Sequence, residues 1–366
     1  MLLTSMGLVS FATSGHTAPP IEEIRTIMAQ KALMPPSSRS LEALNAEHLS
    51  EGLREMDPYA RYVPPSTSSG NSSLPLYLGI EVFVYKARLW VWPDTDGPAD
   101  KAGISEIANL RAINNKKIRG VDLARISLLL DKAVRENRVV LTVVGLSDNK
   151  EKTYTIKPSA IKPSSITWRR IDADIFIRIR EFVAHETAIG LSAIYKTLVQ
   201  PGTRVVIDLR GCSGGDLHEA LKIAGKFVSD DLPLASTYDR TGVVRSYRAP
   251  QGQKLPGPIG LLIDHRTASA AEILAGILQH YQIALLIGEQ SYGKCVSQTL
   301  VSLSNGGSLW LTHLGIHFPD NQSCSGNGLQ PDISCPDIWI TGMADIMKII
   351  DNAILSQQVG NKITCE

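Results

Sequence analysis

The sequence predicts a multidomain α/β protein, and three observations carry that reading. Short apolar runs bounded by glycine and polar residues read as buried strands, and they alternate with segments of helical periodicity. At 366 residues the chain is long enough for two or three domains. Apolar residues make up 43% and charged residues 20% of it, the composition of an ordinary globular protein. The formal net charge is only +1, which gives no footprint for nucleic acid or another polyanion. No run of 18 apolar residues marks a membrane-spanning helix.

Residues 1–20 contain a fairly apolar stretch followed by Ala12-Thr13-Ser14, a tolerable small-residue cleavage site. The first basic residue is Arg25, so the charged start of a signal peptide is missing. A signal peptide with an incomplete start and a disordered terminus both fit. Residues 21–66 read as helical and end in Met56-Asp57-Pro58-Tyr59-Ala60-Arg61-Tyr62, a turn followed by an aromatic extended segment. Residues 66–73, rich in Ser with Gly70 and Asn71, read as a linker. These stretches and the linker end make residues 21–74 one helical N-terminal segment.

Residues 75–160 form the next unit. Strands are expected at 78–82 and 89–92, and a short glycine-stopped helix at 97–104. A strand and turn follow at 110–116, a helix at 121–134, and closing strands at 139–144 and 153–156. From residue 161 to 366 the pattern turns to a core of buried strands and amphipathic helices. A strand is expected at 174–180, a helix at 187–198 and a buried strand at 204–210. That strand runs into Gly211-Cys212-Ser213-Gly214-Gly215, with a helix at 216–227 behind it. A Gly-Gly after a strand is by itself a tight turn or helix cap. No Gly-Lys-Ser/Thr follows to make it a phosphate loop.

The chemistry concentrates between residues 260 and 298. A short apolar strand at 260–264 leads to Ala268-Ser269-Ala270-Ala271 at the mouth of a helix over 270–279. A second strand follows at 284–288, then a polar loop carrying Lys294. A serine at a strand-to-helix turn sits beside the unpaired N–H groups of the helix start, which can stabilise an oxyanion. Serine is a weak nucleophile and needs a base. Lys294 can serve if burial lowers its pKa toward neutrality. A capped helix followed by a surface lysine accounts for the same two residues.

Two motifs at a fixed distance add a resemblance. Thr267-Ala268-Ser269-Ala270-Ala271-Glu272-Ile273 is similar to the S-A-S-A-S-E-I run of the carboxy-terminal processing, or tail-specific, proteases. Gly293-Lys294 with Gln298 resembles their G-K-G-x-x-Q, and Ser269 and Lys294 stand 25 positions apart (294 − 269), as in that family. The resemblance implies Ser269 as nucleophile, Lys294 as general base and Gln298 as the residue that orients the lysine. The 208–215 loop is similar to the family's D-L-R-x-N-P-G-G. That implies an oxyanion hole from Gly215 or its neighbour Gly214, with Ala270 N–H as the second donor. Gly326-Asn327-Gly328-Leu329-Gln330-Pro331-Asp332 resembles G-x-G-I-x-P-D, and Asp57-Pro58-Tyr59 resembles D-P-Y-S-x-Y.

The order of elements over 75–160 resembles a PDZ domain, which captures a C-terminal tail as an added strand. Tyr77, Leu78, Gly79 and Ile80 would form its carboxylate loop. Glu106-Ile107-Ala108 stands where the family has Pro-Gly-Asp. The implied fold is a ClpP/crotonase-like peptidase core with a PDZ-like domain and a helical N-terminal segment. The implied activity is serine endopeptidase cleavage near polypeptide C-termini, without a cofactor. The partner is a polypeptide with an accessible C-terminus. An activator or adaptor protein and a homo-oligomer stay open. The family is mostly exported, which implies a periplasmic or secreted location. Two other classes compete: a non-catalytic tail-binding protein on the same scaffold, and a crotonase-type acyl-CoA enzyme.

Eight histidines include His265, His313 and His317; none falls in a motif, so they read as structural or surface groups. No HExxH or paired-cysteine spacing suggests a metal. The five cysteines are Cys212, Cys295, Cys324, Cys335 and Cys365, so at least one stays unpaired in a monomer. Cys324 and Cys335 flank a Gly-rich loop and are expected to pair in an oxidising compartment. A second expectation brings Cys212 to Cys295, tying the Gly-Gly loop to the lysine strand. Inert buried thiols are the plainer alternative.

Overall fold

The computed structural model describes residues 18–65, 77–160 and 164–357. The readings of 1–17, of the 66–73 linker and of Cys365 lie outside them. The chain begins with three helices, α1 (Ile21–Lys31), α2 (Ser38–Ala43) and α3 (Leu49–Met56), and a short strand β1 (Arg61–Val63). The Ser37 hydroxyl caps α2 by accepting the Ser40 N–H.

Next come β2 (Ile80–Tyr85), β3 (Arg88–Pro93), α4 (Pro98–Lys101), β4 (Ala108–Ile113), β5 (Lys116–Lys117), α5 (Leu123–Arg135), β6 (Val139–Gly145) and β7 (Glu151–Ile156). They make an antiparallel sheet in the order β2-β3-β4-β6-β7, with β5 on β4. Proline at the first position of α4 and the Asp122 side chain capping α5 start its two helices. Val91, Ile113, Leu141 and Ile156 fill the core between sheet and helix.

The remainder holds β8 (Ile166–Ile171), β9 (Asp174–Ile179), α6 (Thr187–Leu198), β10 (Val205–Asp208), α7 (Leu217–Ala224), β11 (Pro233–Asp239) and β12 (Gly242–Arg248). It continues with β13 (Gly260–Ile263), α8 (Ala270–His280), β14 (Leu285–Gly288), β15 (Val296–Ser302), β16 (Ser308–His317), β17 (Ile333–Ser334) and α9 (Met343–Gln357). Six strands line up as β17-β14-β13-β10-β9-β8, parallel from β17 to β9 with β8 antiparallel at the edge. The central strands β10 and β13 are buried throughout, as a parallel sheet covered on both faces requires. One face carries α6, α7 and α8, and the other carries α9 and Trp339. Gly276 in α8 has no room for a side chain, because a Cβ would come within 2.4 Å of the Phe318 ring.

The described residues divide into two compact units. One gathers 18–65, 237–244 and 296–315, around Ile24, Met28, Leu53, Leu309 and Leu311. Its sheet order is β1-β16-β11-β12 with β15 on β16. The other gathers the β2–β7 layer and the six-stranded sheet. The mixed α/β class is the one expected, and most of the expected core helices and strands lie within two or three residues of their predicted bounds. Five strands, β8, β11, β12, β15 and β17, have no counterpart in the sequence reading.

Candidate active site

Three loops meet at the carboxyl ends of β10, β13 and β14. The strand β10 ends at Asp208 and passes through Leu209 and Arg210 into the glycine loop. Arg210 and Asp208 are both buried and form a two-point pair at 2.9 and 2.7 Å. This clamp fixes the root of the loop. Gly214 and Gly215 both adopt left-handed backbone, at φ +105° and +134°. A Cβ on Gly214 would lie 2.7 Å from Ser269 Cβ and 3.0 Å from Ala270 N. A Cβ on Gly215 would lie 2.3 Å from the Phe182 carbonyl oxygen. Glycine is therefore required at both positions by contact as well as by conformation.

The second loop runs from Asp264 to Ser269. Its buried Asp264 accepts the Gly211 N–H at 2.9 Å, and the Thr267 hydroxyl sits 3.0 Å from the Leu209 carbonyl oxygen. The Ala268 N–H donates to the Cys212 carbonyl at 3.0 Å. The second loop is thus laced to the first by three hydrogen bonds. Ser269 follows at φ +57° and ψ −123°, outside the ordinary range of a side-chain-bearing residue. Such a conformation costs about 1–3 kcal/mol and persists only where the surroundings enforce it. Ser269 is the N-cap of α8, whose residues 270–278 are all buried.

The third loop, after β14, carries Ser291, Tyr292, Gly293 and Lys294. Glu272, in the first turn of α8 and fully buried, organises it. One carboxylate oxygen accepts the Ser269 N–H at 2.9 Å and the Lys294 N–H at 2.8 Å. The other accepts the Ser291 hydroxyl at 2.5 Å and the Gly293 N–H at 2.7 Å. Four donors on one buried carboxylate are the pattern that holds such a group in place. Sequence reasoning matched Glu272 to a motif and gave it no role. The Ser-x-x-Glu spacing of a capping box was the available signal.

Among the described residues, neither Ala270 N–H nor Gly215 N–H meets an acceptor. Gly214 is already engaged: its carbonyl accepts the Phe182 N–H at 2.9 Å, and its N–H faces the Cys212 sulfur. Cys212 is a free, buried thiol whose pKa is pushed up to about 12, chiefly by burial. Gln298 belongs to the other compact unit, where its side-chain N–H donates to the Tyr59 carbonyl at 2.8 Å.

Both expected cysteine pairings are corrected. One disulfide joins Cys295 to Cys324, so Cys324 does not pair with Cys335 and Cys212 does not pair with Cys295. The cause is the fold of the 318–328 loop onto the lysine loop. The Gly326 N–H donates to the Gly293 carbonyl at 2.9 Å, and the Ser325 hydroxyl donates to the Cys295 carbonyl at 3.1 Å. Cys335 directly follows β17, with its N–H on the Gly288 carbonyl, and is disulfide-bonded elsewhere than to Cys324. Glu272, Cys295 and Cys324 bring three ligand-type atoms within 4.8 Å of one another, but the S–S bond removes both thiolates. His265 pairs through Nδ1 with Glu289 at 2.7 Å, which raises its pKa.

In the β2–β7 layer, Tyr77 hydrogen-bonds Asp94 through its hydroxyl, and Leu78 is buried. The Gly79 carbonyl accepts the Asp94 N–H at 2.9 Å and Gly79 has φ +72°. Ile80 opens β2. The N–H groups of Leu78 and Gly79 meet no acceptor among the described residues.

The chain is 28% identical over 299 residues to a carboxyl-terminal-processing protease of a Picosynechococcus species, covering 76% of this chain and 70% of that one. It is 27% identical over 338 residues to a probable CtpA-like serine protease of Staphylococcus haemolyticus, covering 88% and 67%. Its fold is similar to a putative S41 protease from Bacteroides fragilis, with TM-score 0.64, 16% identity and coverage of 92% and 97%. It is similar too to a photosystem II D1 C-terminal processing protease, with TM-score 0.55, 21% identity and coverage of 86% and 92%. No helix among the described residues is long and apolar enough to cross a membrane. The match to the description Peptidase family S41 spans residues 175–335, which hold all three loops, and with these relatives it indicates a serine peptidase similar to the carboxyl-terminal-processing proteases.

Proposed function

We propose that the chain cuts polypeptides near their C-termini with a Ser269–Lys294 dyad. The observation that carries this reading is the Glu272 carboxylate, which accepts the backbone N–H of Ser269 and of Lys294 on the same oxygen. Two residues from separate loops are thereby tied to one buried group. Neutral Lys294 takes the Ser269 proton, and the Ser269 oxygen attacks the peptide carbonyl. The unanswered N–H groups of Gly215 and Ala270 receive the oxyanion, each worth roughly 10²–10³ in rate. Lys294 passes the proton to the leaving amine. Water, deprotonated by Lys294 in turn, releases the acyl group.

The β2–β7 layer acts as a PDZ-like recruiter. Its Leu78 and Gly79 N–H groups take the tail carboxylate, and the edge of β2 pairs with the tail as an added strand. The Cys295–Cys324 disulfide supports an oxidising location such as the periplasm or the extracellular space. The test is cleavage of a fluorogenic peptide carrying an apolar C-terminal tail. Ser269→Ala and Lys294→Met are each expected to abolish turnover while near-UV circular dichroism stays unchanged. Cleavage at the parental rate by either folded variant excludes the dyad.

A further inference from the structure

A cavity of about 800 Å³ opens on the α9 face of the six-stranded sheet, reaching the Asp208–Arg210 clamp at the root of the glycine loop but not lined by Ser269, Glu272 or Lys294. That volume lies in the ~300–1,000 Å³ range of small-molecule sites. Trp92, Ile107, Phe176 and Met343 supply apolar walls. Arg178 follows Phe176 by two positions on β9, so both side chains share this face.

The arginine is the unusual group. Its guanidinium lies 3.4 Å from the centre of the Trp92 ring and is held flat by it. Nη2 donates to Glu81 at 2.9 Å. Nε and Nη1 are buried and meet no acceptor. Each other cation on the lining has a partner, Arg170 through a hydrogen bond to the Leu198 carbonyl at 3.3 Å. Arg169 donates to Thr95, the Ser105 carbonyl and Asp100, and Arg210 is clamped on Asp208. Each buried donor without a partner destabilises the folded chain, a cost that an incoming oxygen would remove. Residues 342–345, at the start of α9, also line the cavity, so the positive end of a helix dipole faces the same space. Asp208, Glu106 and Asp345 on the lining and Glu81 beside Arg178 disfavour a ligand carrying two negative charges. One negative charge and an apolar body are what the walls complement.

We infer that this cavity binds a monocarboxylate with an unbranched apolar chain, of the medium-chain fatty acid class. Its carboxylate accepts from Arg178 and its chain lies against Trp92, Phe176 and Met343. The inference is independent of the dyad and of tail recruitment. The probe is decanoate below its micellar range, set against decanol of the same chain length. Both are titrated into the full chain by calorimetry and by tryptophan fluorescence. Decanoate is expected to bind one per chain, at least tenfold more tightly than decanol. Arg178→Met is expected to bring decanoate down to the decanol level and leave decanol unchanged. Because that substitution also removes one of the two arginine partners of Glu81, leaving it Arg266 alone, Met343→Trp is the second variant. It fills the cavity from the α9 side and is expected to remove binding of both probes. Absence of saturable decanoate binding, equal affinities for acid and alcohol, or undiminished decanoate binding by Met343→Trp overturns the inference.

Discussion

Glu272→Gln tests whether one buried carboxylate holds nucleophile and base in register. The native group answers four donors, two on each oxygen. The amide keeps one accepting oxygen and replaces the other with a donor. Its favoured orientation leaves the oxygen on Ser269 N–H and Lys294 N–H. The new NH₂ then faces the Ser291 hydroxyl, which can turn to accept, and the Gly293 N–H, which cannot. One buried backbone donor is stranded, at a cost of about 1–3 kcal/mol. The loop bearing Lys294 relieves part of that cost by moving, so kcat is expected to fall about 10- to 100-fold, or about 1.4–2.7 kcal/mol in the barrier. Glu272→Ala strands all four donors. Its cost, at the same rate per donor, approaches the whole stability of a typical fold, so it is expected not to fold. The assay pairs kcat on a fluorogenic peptide with urea unfolding of the same preparation. A Gln variant with parental kcat and parental midpoint refutes the reasoning.

Other outcomes follow from the same geometry. Gly214→Ala places a methyl 2.7 Å from Ser269 Cβ in a backbone region alanine avoids, so peptide turnover is expected to drop by more than 10²-fold while the protein stays folded by far-UV circular dichroism. Replacing Cys295 and Cys324 together by serine opens a crosslink spanning 29 residues, which the chain-entropy relation values at about 3.5 kcal/mol, read as a lower urea midpoint. His265 carries a pKa raised above 6.5 by its Glu289 bond. Its stabilisation is complete below the unfolded value and lost as pH rises through the folded one. As a largely exposed pair it is worth little. An NMR titration is expected to show a lower His265 pKa in Glu289→Gln than in the parent.

The parts legible in the sequence were those with local causes. The strands β10, β13 and β14 are short buried runs, and α8 is an unbroken apolar periodicity after a capping serine. Each could be read within ten residues of itself. The strands β12 and β15 escaped because β12 is almost wholly exposed and β15 is half so, leaving little two-residue alternation to detect. Cysteine pairing failed for a related reason. Cys324 and Cys335 are near in sequence, but the contact that decides the matter is Gly326 on Gly293, made by a loop returning from a different strand. The duty of Glu272 was hidden too, since three of its four donors arrive from residues 19 to 22 positions away.

Ser269 sits in a backbone well that glycine enters freely and serine does not. The molecule thus spends part of a thin margin of stability on presenting one hydroxyl. Released from the need to cut, a descendant would gain by trading that serine for glycine, and would become sturdier as it fell silent. Inactive copies of this fold should for that reason be found among the more heat-resistant ones.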